Sequence, residues 1–545
     1  MDYMSILSLL GGLGLFLFGI KAMGEGLEQA AGSKMKKLLE SLTRNRFLAV
    51  FMGAAITAIL QSSSATTVMI VGFVNAGLIT LRDAIGVIMG ANIGTTVTSL
   101  MLSVELDFGM LFATIGAICL LAGNKHIFHV TGQIMMWLGV LFVGMDTMSS
   151  AMVPLREWQG FVDMMTFASN PLVGVLVGAL ITALLQSSSA SVGILQALAG
   201  TGVISLQASM FILFGQNIGT CVTALIASVG TNRTAKRAAV VHLLFNIIGS
   251  VLFIIIALTL PLTTWVERMA GDNLRLQISF VHIIFNVTTT LALLPLSSVL
   301  EKLAFMVVRG EDKPIEPMRM QYFDTRLFST PPIAAQQLFK EVQRMALLAL
   351  DNFKFSLQYL NSTKNADKKE FINREEVIDL LNDEITQNLI ELRGLHLTSD
   401  DIHLTGSLFH VVNDLERIGD HATNIVEIAE SYHTNKYKFS PKAQLEYKEI
   451  FEKVGLMLEK SIDIFCNQKT DVSSIADVLN LEKDVDNLCE TYANHHIDRV
   501  KDKKCTPQNG MLFLDLLNNL ERIGDHADNL AISVERGDSP GKMLW

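Results

Sequence analysis

Long apolar runs, separated by short polar breaks, fill the first 300 residues, and an amphipathic helical rhythm takes over after residue 332. The chain opens on an apolar stretch at 4–20, and further runs lie at 84–103, 108–124, 130–148, 208–229, 238–260 and 276–298. Each reads as a helix able to cross a bilayer core. Two more runs, 48–79 and 172–206, carry a polar cluster midway, which predicts re-entrant hairpins that enter and leave on one side. Farther on, the spacing of apolar positions predicts six helices, near 333–362, 369–395, 399–431, 441–468, 473–502 and 508–536. The expected fold is all-α: a polytopic membrane unit at 1–300, a linker at 301–332 bearing Pro314, Pro317, Pro331 and Pro332, and a soluble six-helix unit at 333–545.

The membrane half is duplicated. GAAITAILQSSSA at 53–65 returns as GALITALLQSSSA at 178–190, and GANIGTTVTSL at 90–100 returns as GQNIGTCVTAL at 215–225. The offset is 125 residues throughout, and 22 of the 48 positions from 53 to 100 are identical to their partners. Gly14, Gly19 and Met23 pair at the same offset with Gly139, Gly144 and Met148. Repeat one spans about 5–127 and repeat two about 130–260, with an extra span at 276–298. Each repeat holds one span, one hairpin and two further spans. Three crossings is odd, so the second copy is expected to be inverted, an arrangement suited to alternating access.

Charge sharpens the division. Residues 1–300 hold 14 Lys/Arg and 12 Asp/Glu, whereas 301–545 hold 29 and 41. Lys21 is the first basic residue and follows the opening apolar run, the reverse of a secretory signal, which predicts a retained first span with its N-terminus outside. Lys21, Lys34, Lys36, Lys37, Arg44, Arg46, Arg82, Lys125, Arg233, Lys236, Arg237, Lys302 and Arg309 then fall inside. Only Arg156, Arg268 and Arg275 fall outside. This places the acidic C-terminal half in the cytoplasm of a bacterial cell. The acidic tail lacks a basic stripe and argues against nucleic acid. The five cysteines (Cys119, Cys221, Cys466, Cys489, Cys505) show no paired spacing for disulfides or a zinc ribbon. No GxxxxGK[ST] or GxSxG segment points to ATP-driven pumping or serine hydrolysis, and an enzyme is not expected.

Each repeat carries two polar motifs. Gln61, Ser62, Ser63 and Ser64, with Gln186, Ser187, Ser188 and Ser189, fall at the hairpin tips. Asn92, Gly94 and Thr95, with Asn217, Gly219 and Thr220, fall inside the next span. A glycine between Asn and Thr is expected to unwind that span, exposing N–H groups suited to an anion and C=O groups suited to a cation. Small hydroxylated residues also serve close helix packing, but two copies of both motifs at fixed spacing favour binding. No Lys or Arg lies between Phe47 and Leu81 or between Glu157 and Asn232. An anion held at mid-membrane in this site is expected to have no fixed side-chain cation, and a co-bound cation such as Na⁺ would offset the cost of burying it. Asp146, at a span end, is either a further cation ligand or a carboxylate at the outer interface. His242 with Asn246, and His282 with Asn286, share helix faces and are expected to bond between helices.

The paired QSSS and NIGT elements resemble the sodium/phosphate cotransporter family over roughly residues 5–300. The resemblance implies that Gln61, Ser62, Ser63, Ser64, Asn92, Thr95, Gln186, Ser187, Ser188, Ser189, Asn217 and Thr220 form substrate and sodium sites. Cys221 departs from the first copy, where Thr96 stands.

The acidic half is duplicated as well: NDLERIGDHATNI at 413–425 returns as NNLERIGDHADNL at 518–530, offset by 105, giving two three-helix bundles. Glu416 and Asp420, and Glu521 and Asp525, are four residues apart and share a helix face. Glu375 and Asp379, and Glu482 and Asp486, repeat the spacing one helix earlier. Four facing carboxylates suit a metal site in a bundle, the alternative being a solvated face paired with Arg417 and Arg522. His421 and His526 are extra ligands or surface residues. This half resembles PhoU domains over about 335–540, which implies bound divalent or iron ions and a role in phosphate regulation. The expectation is Na⁺-coupled transport of inorganic phosphate across the cytoplasmic membrane, with export, another oxyanion, or a membrane-bound phosphate sensor as alternatives. A homodimer and phosphate-signalling proteins are compatible partners beside phosphate, Na⁺ and the lipid bilayer.

Overall fold

The computed structural model describes residues 3–40, 45–104, 109–122, 126–311, 319–362, 367–395, 397, 399–469 and 471–535. Arg44, Lys125, Pro314 and Pro317 lie outside them, as do the side chains of Lys34, Lys36 and Lys37. All regular elements among the described residues are helical. The chain forms two compact units, Met1–Pro314 and Ile315–Trp545.

The first unit runs α1 (Tyr3–Glu40), α2 (Arg46–Leu60), α3 (Ser63–Asn75), α4 (Leu81–Ser103), α5 (Gly109–Ala122), α6 (His126–Met152), α7 (Gln159–Phe167), α8 (Pro171–Leu185), α9 (Ser188–Gly200), α10 (Leu206–Ala227), α11 (Arg233–Thr259), α12 (Leu262–Ala270), α13 (Leu274–Leu293) and α14 (Ser297–Val307). Among the described residues α1, α4, α6, α10, α11 and α13 are long and apolar enough to cross a membrane. Helices α7 and α8, bent by 106°, raise the number to seven if they count as one span. The run at 108–124, expected to cross, forms the 14-residue α5. At about 1.5 Å per residue it is shorter than a hydrocarbon core of about 30 Å.

The repeats set the packing. The first helices of the two copies, α1 and α6, lie against each other. A Cβ on Gly144 would sit 2.5 Å from the Phe16 nitrogen, and one on Gly19 would sit 2.8 Å from that of Leu141. Small residues let the backbones meet where lipid supplies no hydrophobic driving force. Helix α2 packs on α4 and α8 on α10. Helix α11 rests on α10, α3 and α4, while α13 rests on α4, α9 and α10. Exchanging α3 with α9 and α4 with α10 turns one set of neighbours into the other, so α11 and α13 occupy equivalent places. Their shared His-x-x-Phe-Asn segments match that equivalence.

One expectation is overturned. Helices α4 and α10 run unbroken through Asn92–Thr95 and Asn217–Thr220. The polar side chains turn back onto their own helix. Asn92 Nδ2 donates to the Ile88 carbonyl at 2.9 Å and Thr95 Oγ1 to that of Ala91 at 3.0 Å. Asn217 and Thr220 do the same to Leu213 and Gln216, both at 2.9 Å. The glycines serve contact rather than unwinding. A Cβ on Gly94 would lie 2.6 Å from the Ala54 oxygen, and one on Gly219 would lie 2.4 Å from that of Ala179. The breaks fall at the hairpin tips. Gln61 and Gln186 end α2 and α8 in the left-handed conformation, each at φ 53°. Ser62 Oγ and Ser187 Oγ then cap α3 and α9, accepting from Ala65 N at 3.1 Å and Ala190 N at 3.2 Å.

The second unit holds α15 (Pro331–Asn361), α16 (Lys368–Arg393), α17 (Ser399–Thr434), α18 (Pro441–Asn467), α19 (Val472–Lys501) and α20 (Pro507–Glu535). Helices α15–α17 and α18–α20 form two bundles that meet through α17 and α20. Leu415, Ile418, Ala422 and Ile425 are fully buried, as are Leu520, Ile523, Ala527 and Leu530. The ERIGDHA helices therefore keep their carboxylates off the core face.

Close packing at Gly94 reverses the usual sign of a substitution. In a free helix Gly94→Ala would stabilise by roughly 1 kcal/mol. Here the methyl overlaps α2, so the expected result is destabilisation of about 1–3 kcal/mol, read as a lower melting temperature of the detergent-solubilised protein. An unchanged or higher melting temperature would contradict the packing role.

Candidate functional site

Each QSSS element does three jobs in succession: Gln ends one helix, the first Ser caps the next, and the following two begin it. The hairpin tips meet. Ser63 Oγ and Ser188 Oγ lie 3.1 Å apart. Ser64 Oγ donates to the Gln186 carbonyl and Ser189 Oγ to the Gln61 carbonyl, both at 3.4 Å. A bond from the first copy to the second is thus mirrored by one from the second to the first, the signature of a two-fold relation. The N-termini of α3 and α9 share this junction. Free N–H groups at a helix start attract anions, and serine hydroxyls both donate and accept.

The limbs of each hairpin are fastened just behind the tip. Thr57 Oγ1 donates to Thr66 Oγ1 at 3.0 Å, and Thr182 Oγ1 to Ser191 Oγ at 2.8 Å. Symmetry fails at the glutamines. Gln61 is buried and its Oε1 accepts from Thr98 Oγ1 at 2.9 Å, whereas Gln186 is exposed. Among the described residues no hydrogen bond joins Asn92, Thr95, Asn217 or Thr220 to the tips, although all four are buried. These residues line the helices behind the tips.

The two copies also differ where Cys221 replaces Thr96. Thr96 Oγ1 donates to the Ile93 carbonyl at 2.7 Å, while Cys221 Sγ accepts from Asn246 Nδ2 at 3.3 Å. His282 Nε2 lies 3.4 Å from Asn217 Oδ1, linking α13 to α10. His242 forms no such link: neither ring nitrogen has a partner among the described residues. Asp146 is exposed and lines a cavity of about 590 Å³ with Ser5, Ser8, Thr147 and Ser150. A buried network went unforeseen: Gln196 Nε2 donates to Ser279 Oγ at 2.8 Å and to the Ser99 carbonyl at 3.0 Å. An amide inside an otherwise apolar hairpin limb was the available signal.

In the second unit three of the four carboxylates expected in one bundle gather. Glu482, Asp486 and Asp525 place oxygens within 4.8 Å of one another. Burial raises the Glu482 carboxyl above its usual range, with Asp486 adding to it. Burial, then Asp486 and Asp525, raise Glu521. Asp528, not singled out by the motif, is pushed up to about 6 by burial and then Asp525. In the other bundle burial pushes Glu375 up to about 7, against a 2.8 Å bond from Asn352 Nδ2 that favours its charged form. Asp379, Asp420 and Glu416 add to the rise. A Cβ on Gly419 would lie 2.9 Å from Glu375 Oε1, so the glycine of ERIGDHA seats this carboxylate against α17. Asp379 and Glu416 are raised too, by burial and then Asp420. Arg417 and Arg522 reach Asp420 and Asp525 only at 3.4 Å and from exposed positions, where ion pairs add little. Crowded, partly desolvated oxygens fit a hard cation.

His421 and His526 stack at 5.8 Å between α17 and α20. The Nδ1 of His421 bonds Asn519 Oδ1 and that of His526 bonds Asp414 Oδ1, both at 2.8 Å. They join the two bundles rather than decorate a surface.

A helical membrane unit whose two broken hairpins meet across a two-fold axis is the frame of a secondary transporter. The Na⁺/Pi-cotransporter family model matches residues 15–150 and 160–274, and the PhoU domain model matches 342–429 and 447–534. The chain belongs to the Na⁺/Pi-cotransporter family and carries a PhoU domain behind its membrane unit. It is 31% identical over 298 residues to "Uncharacterized protein YqeW" of Bacillus subtilis, covering 54% of this chain and 95% of that protein. It is 23% identical to "Putative inorganic phosphate export protein YjbB" of Salmonella typhimurium, over 97% of both chains. A segment of 130 residues, 22% of this chain and 19% of the relative, is 34% identical to "Sodium-dependent phosphate transport protein 2B" of Homo sapiens.

The raised Glu375 carboxyl sets the sign of a pH effect. Its folded value of about 7 exceeds the ordinary value of 4.5, so the folded state holds this proton more tightly than the unfolded chain. The stability it contributes is full below pH 4.5 and is lost as pH rises through 7. In the metal-stripped protein, opening of α16 measured by hydrogen exchange should become easier by on the order of 2–3 kcal/mol between about pH 4.5 and 8. Glu375→Gln should flatten that change; an equal slope in the variant would contradict the assignment.

Proposed function

We propose that the protein moves inorganic phosphate across the bacterial cytoplasmic membrane by Na⁺-coupled alternating access, and that the PhoU domain at 333–545 regulates it. The tip junction carries this reading: two helix N-termini and their serines converge without a fixed cation from either hairpin. Phosphate bound there needs a positive partner, and Na⁺ suits the carbonyl, amide and hydroxyl oxygens that surround it. Gln61, Ser62, Ser63, Ser64, Gln186, Ser187, Ser188 and Ser189 form the contact set, with Asn92, Thr95, Asn217 and Thr220 behind them. The similarity to a protein named for sodium-dependent phosphate transport supports the coupling ion. The membrane unit covers 1–300, with its N-terminus outside and the PhoU domain in the cytoplasm, a topology supported by the placement of Lys and Arg.

Export is the second reading, favoured by similarity along 97% of its length to a protein named for inorganic phosphate export. Alternating access runs either way, the gradients deciding. A membrane-bound sensor fits less well, since sensing needs no pair of inverted hairpins.

Radioactive phosphate flux into and out of proteoliposomes should depend on a Na⁺ gradient; flux indifferent to Na⁺ would contradict the coupling. Ser63→Ala or Ser188→Ala should lower flux about tenfold or more while the protein stays monodisperse, because each removes a direct hydrogen bond from the junction. Glu375, Asp379, Glu416, Asp420, Glu482, Asp486, Glu521 and Asp525 hold divalent or iron ions in this reading. Elemental analysis of the purified protein should find metal that Asp420→Ala with Asp525→Ala removes. Equal metal content in the double variant would overturn that assignment.

A further inference from the structure

No basic residue lies between Phe47 and Leu81 or between Glu157 and Asn232, yet a cation reaches one hairpin from elsewhere. Arg275, at the head of α13, is 8% exposed. Its guanidinium lies against the last residue of α9: a Cβ on Gly200 would sit 2.4 Å from Nη2. Nη2 donates to Ser149 Oγ at 3.0 Å, and Ser149 in turn donates to the Ala197 carbonyl at 3.1 Å. Nε is buried without an acceptor among the described residues. Among the described residues Arg275 makes no ion pair with a carboxylate within 4.0 Å. Arg156, which is exposed, approaches the same turn: a Cβ on Gly202, at φ +69°, would sit 2.8 Å from its Nη2.

Two comparisons within the molecule separate this arrangement from ordinary helix capping. At the 125-residue offset, the turn Gly200–Gly202 corresponds to Asn75–Gly77. That turn is clasped by Asn232, the cap of α11. Its N–H donates to Asn75 Oδ1 at 2.9 Å and its Nδ2 to the Asn75 carbonyl at 3.0 Å. Because α11 and α13 occupy equivalent places, both turns are held from the head of the equivalent helix, by a neutral amide in one copy and a guanidinium in the other. Arg237, 3% exposed, is the second comparison. Its Nε donates to the Val308 carbonyl at 3.1 Å, its Nη2 donates to the Gly310 carbonyl, and it lies 3.8 Å over the Phe305 ring. Protein groups satisfy that cation. Among the described residues Arg275 keeps an unsatisfied Nε beside a bonded Nη2, the edge with which guanidinium binds oxyanions through two parallel bonds. The α9 C-terminus offsets only part of the cost of burying the charge.

We propose that Arg275, with Arg156 at the same Gly200–Gly202 turn, is a docking station for the phosphate anion, one hairpin limb from the paired tips. Helix α9 has 13 residues between station and tip, about 20 Å. Phosphate arriving at or leaving one face of the membrane pauses there, and the neutral Asn75–Asn232 clasp gives the opposite face no equivalent. This deepens the phosphate-transport reading and rests on it.

The test is phosphate flux in proteoliposomes, measured separately from each face, for the wild type, Arg275→Gln, Arg275→Lys, Arg156→Gln and Gly200→Ala. Arg275→Gln should raise KM for phosphate about tenfold or more from one face only, with Na⁺ dependence unchanged and partial recovery in Arg275→Lys. Gly200→Ala, which displaces the guanidinium without removing it, and Arg156→Gln should raise KM from the same face by smaller factors, and they decide the matter if Arg275→Gln does not fold. Wild-type KM from both faces in all variants that fold would overturn the station alone, as would an equal loss from both faces confined to maximal rate. A wild type that moves no phosphate removes the transport reading itself, and the station with it.

Discussion

Inside a bilayer, a helix cannot end without leaving backbone groups that no lipid will satisfy. The membrane unit ends helices there twice, after Leu60 and after Leu185, and the answer in each case is the other break. The Gln61 and Gln186 carbonyls, freed by the left-handed turns, accept from Ser189 and Ser64. Neither tip is complete without its partner, so both hairpins must arrive together. Much of the remaining architecture meets that requirement. Glycines at 94 and 219 draw α2 and α8 tight against α4 and α10, and threonine bonds fasten the limbs of each hairpin.

The same constraint gives the junction its chemistry. Two helix starts point at one place, and their N–H groups favour negative charge. Serine hydroxyls supply flexible donors, and the hairpin sequences supply no cation. In the function proposed above, phosphate would be attracted there without being neutralised, so a co-bound cation would strengthen its binding and phosphate the cation's in return. That reciprocity is what coupling means in free-energy terms. Gln186 is exposed while Gln61 is buried, so the two copies are not in identical environments.

How much of this was legible in the sequence differs from element to element. Duplication at a fixed offset located both hairpins, because a polar cluster retained twice inside an apolar run marks a place where the chain must break within the membrane. The NIGT segments misled, because glycine between Asn and Thr permits unwinding but equally permits a close helix crossing. Only the neighbour's position, with Ala54 and Ala179 carbonyls against Gly94 and Gly219, distinguishes the two. The 108–124 run was long enough by composition, yet its described helix stops at 14 residues. The equivalence of α11 and α13 was hidden, since it follows from packing rather than from the 125-residue offset; the repeated His-x-x-Phe-Asn was its one trace. The i,i+4 spacing of the PhoU-domain carboxylates was readable and brings Glu482, Asp486 and Asp525 together, while Asp528 and the stacked His421 and His526 depend on how α17 meets α20.

The proposed transport mechanism requires the two tips to work as one site, and a double-mutant cycle isolates that requirement. Flux in proteoliposomes would be compared for Ser63→Ala, Ser188→Ala and the two together. Residues sharing one junction are non-additive, so the double variant should transport about as well as the poorer single variant. Losses that multiply, as they do for independent sites, would contradict a shared junction.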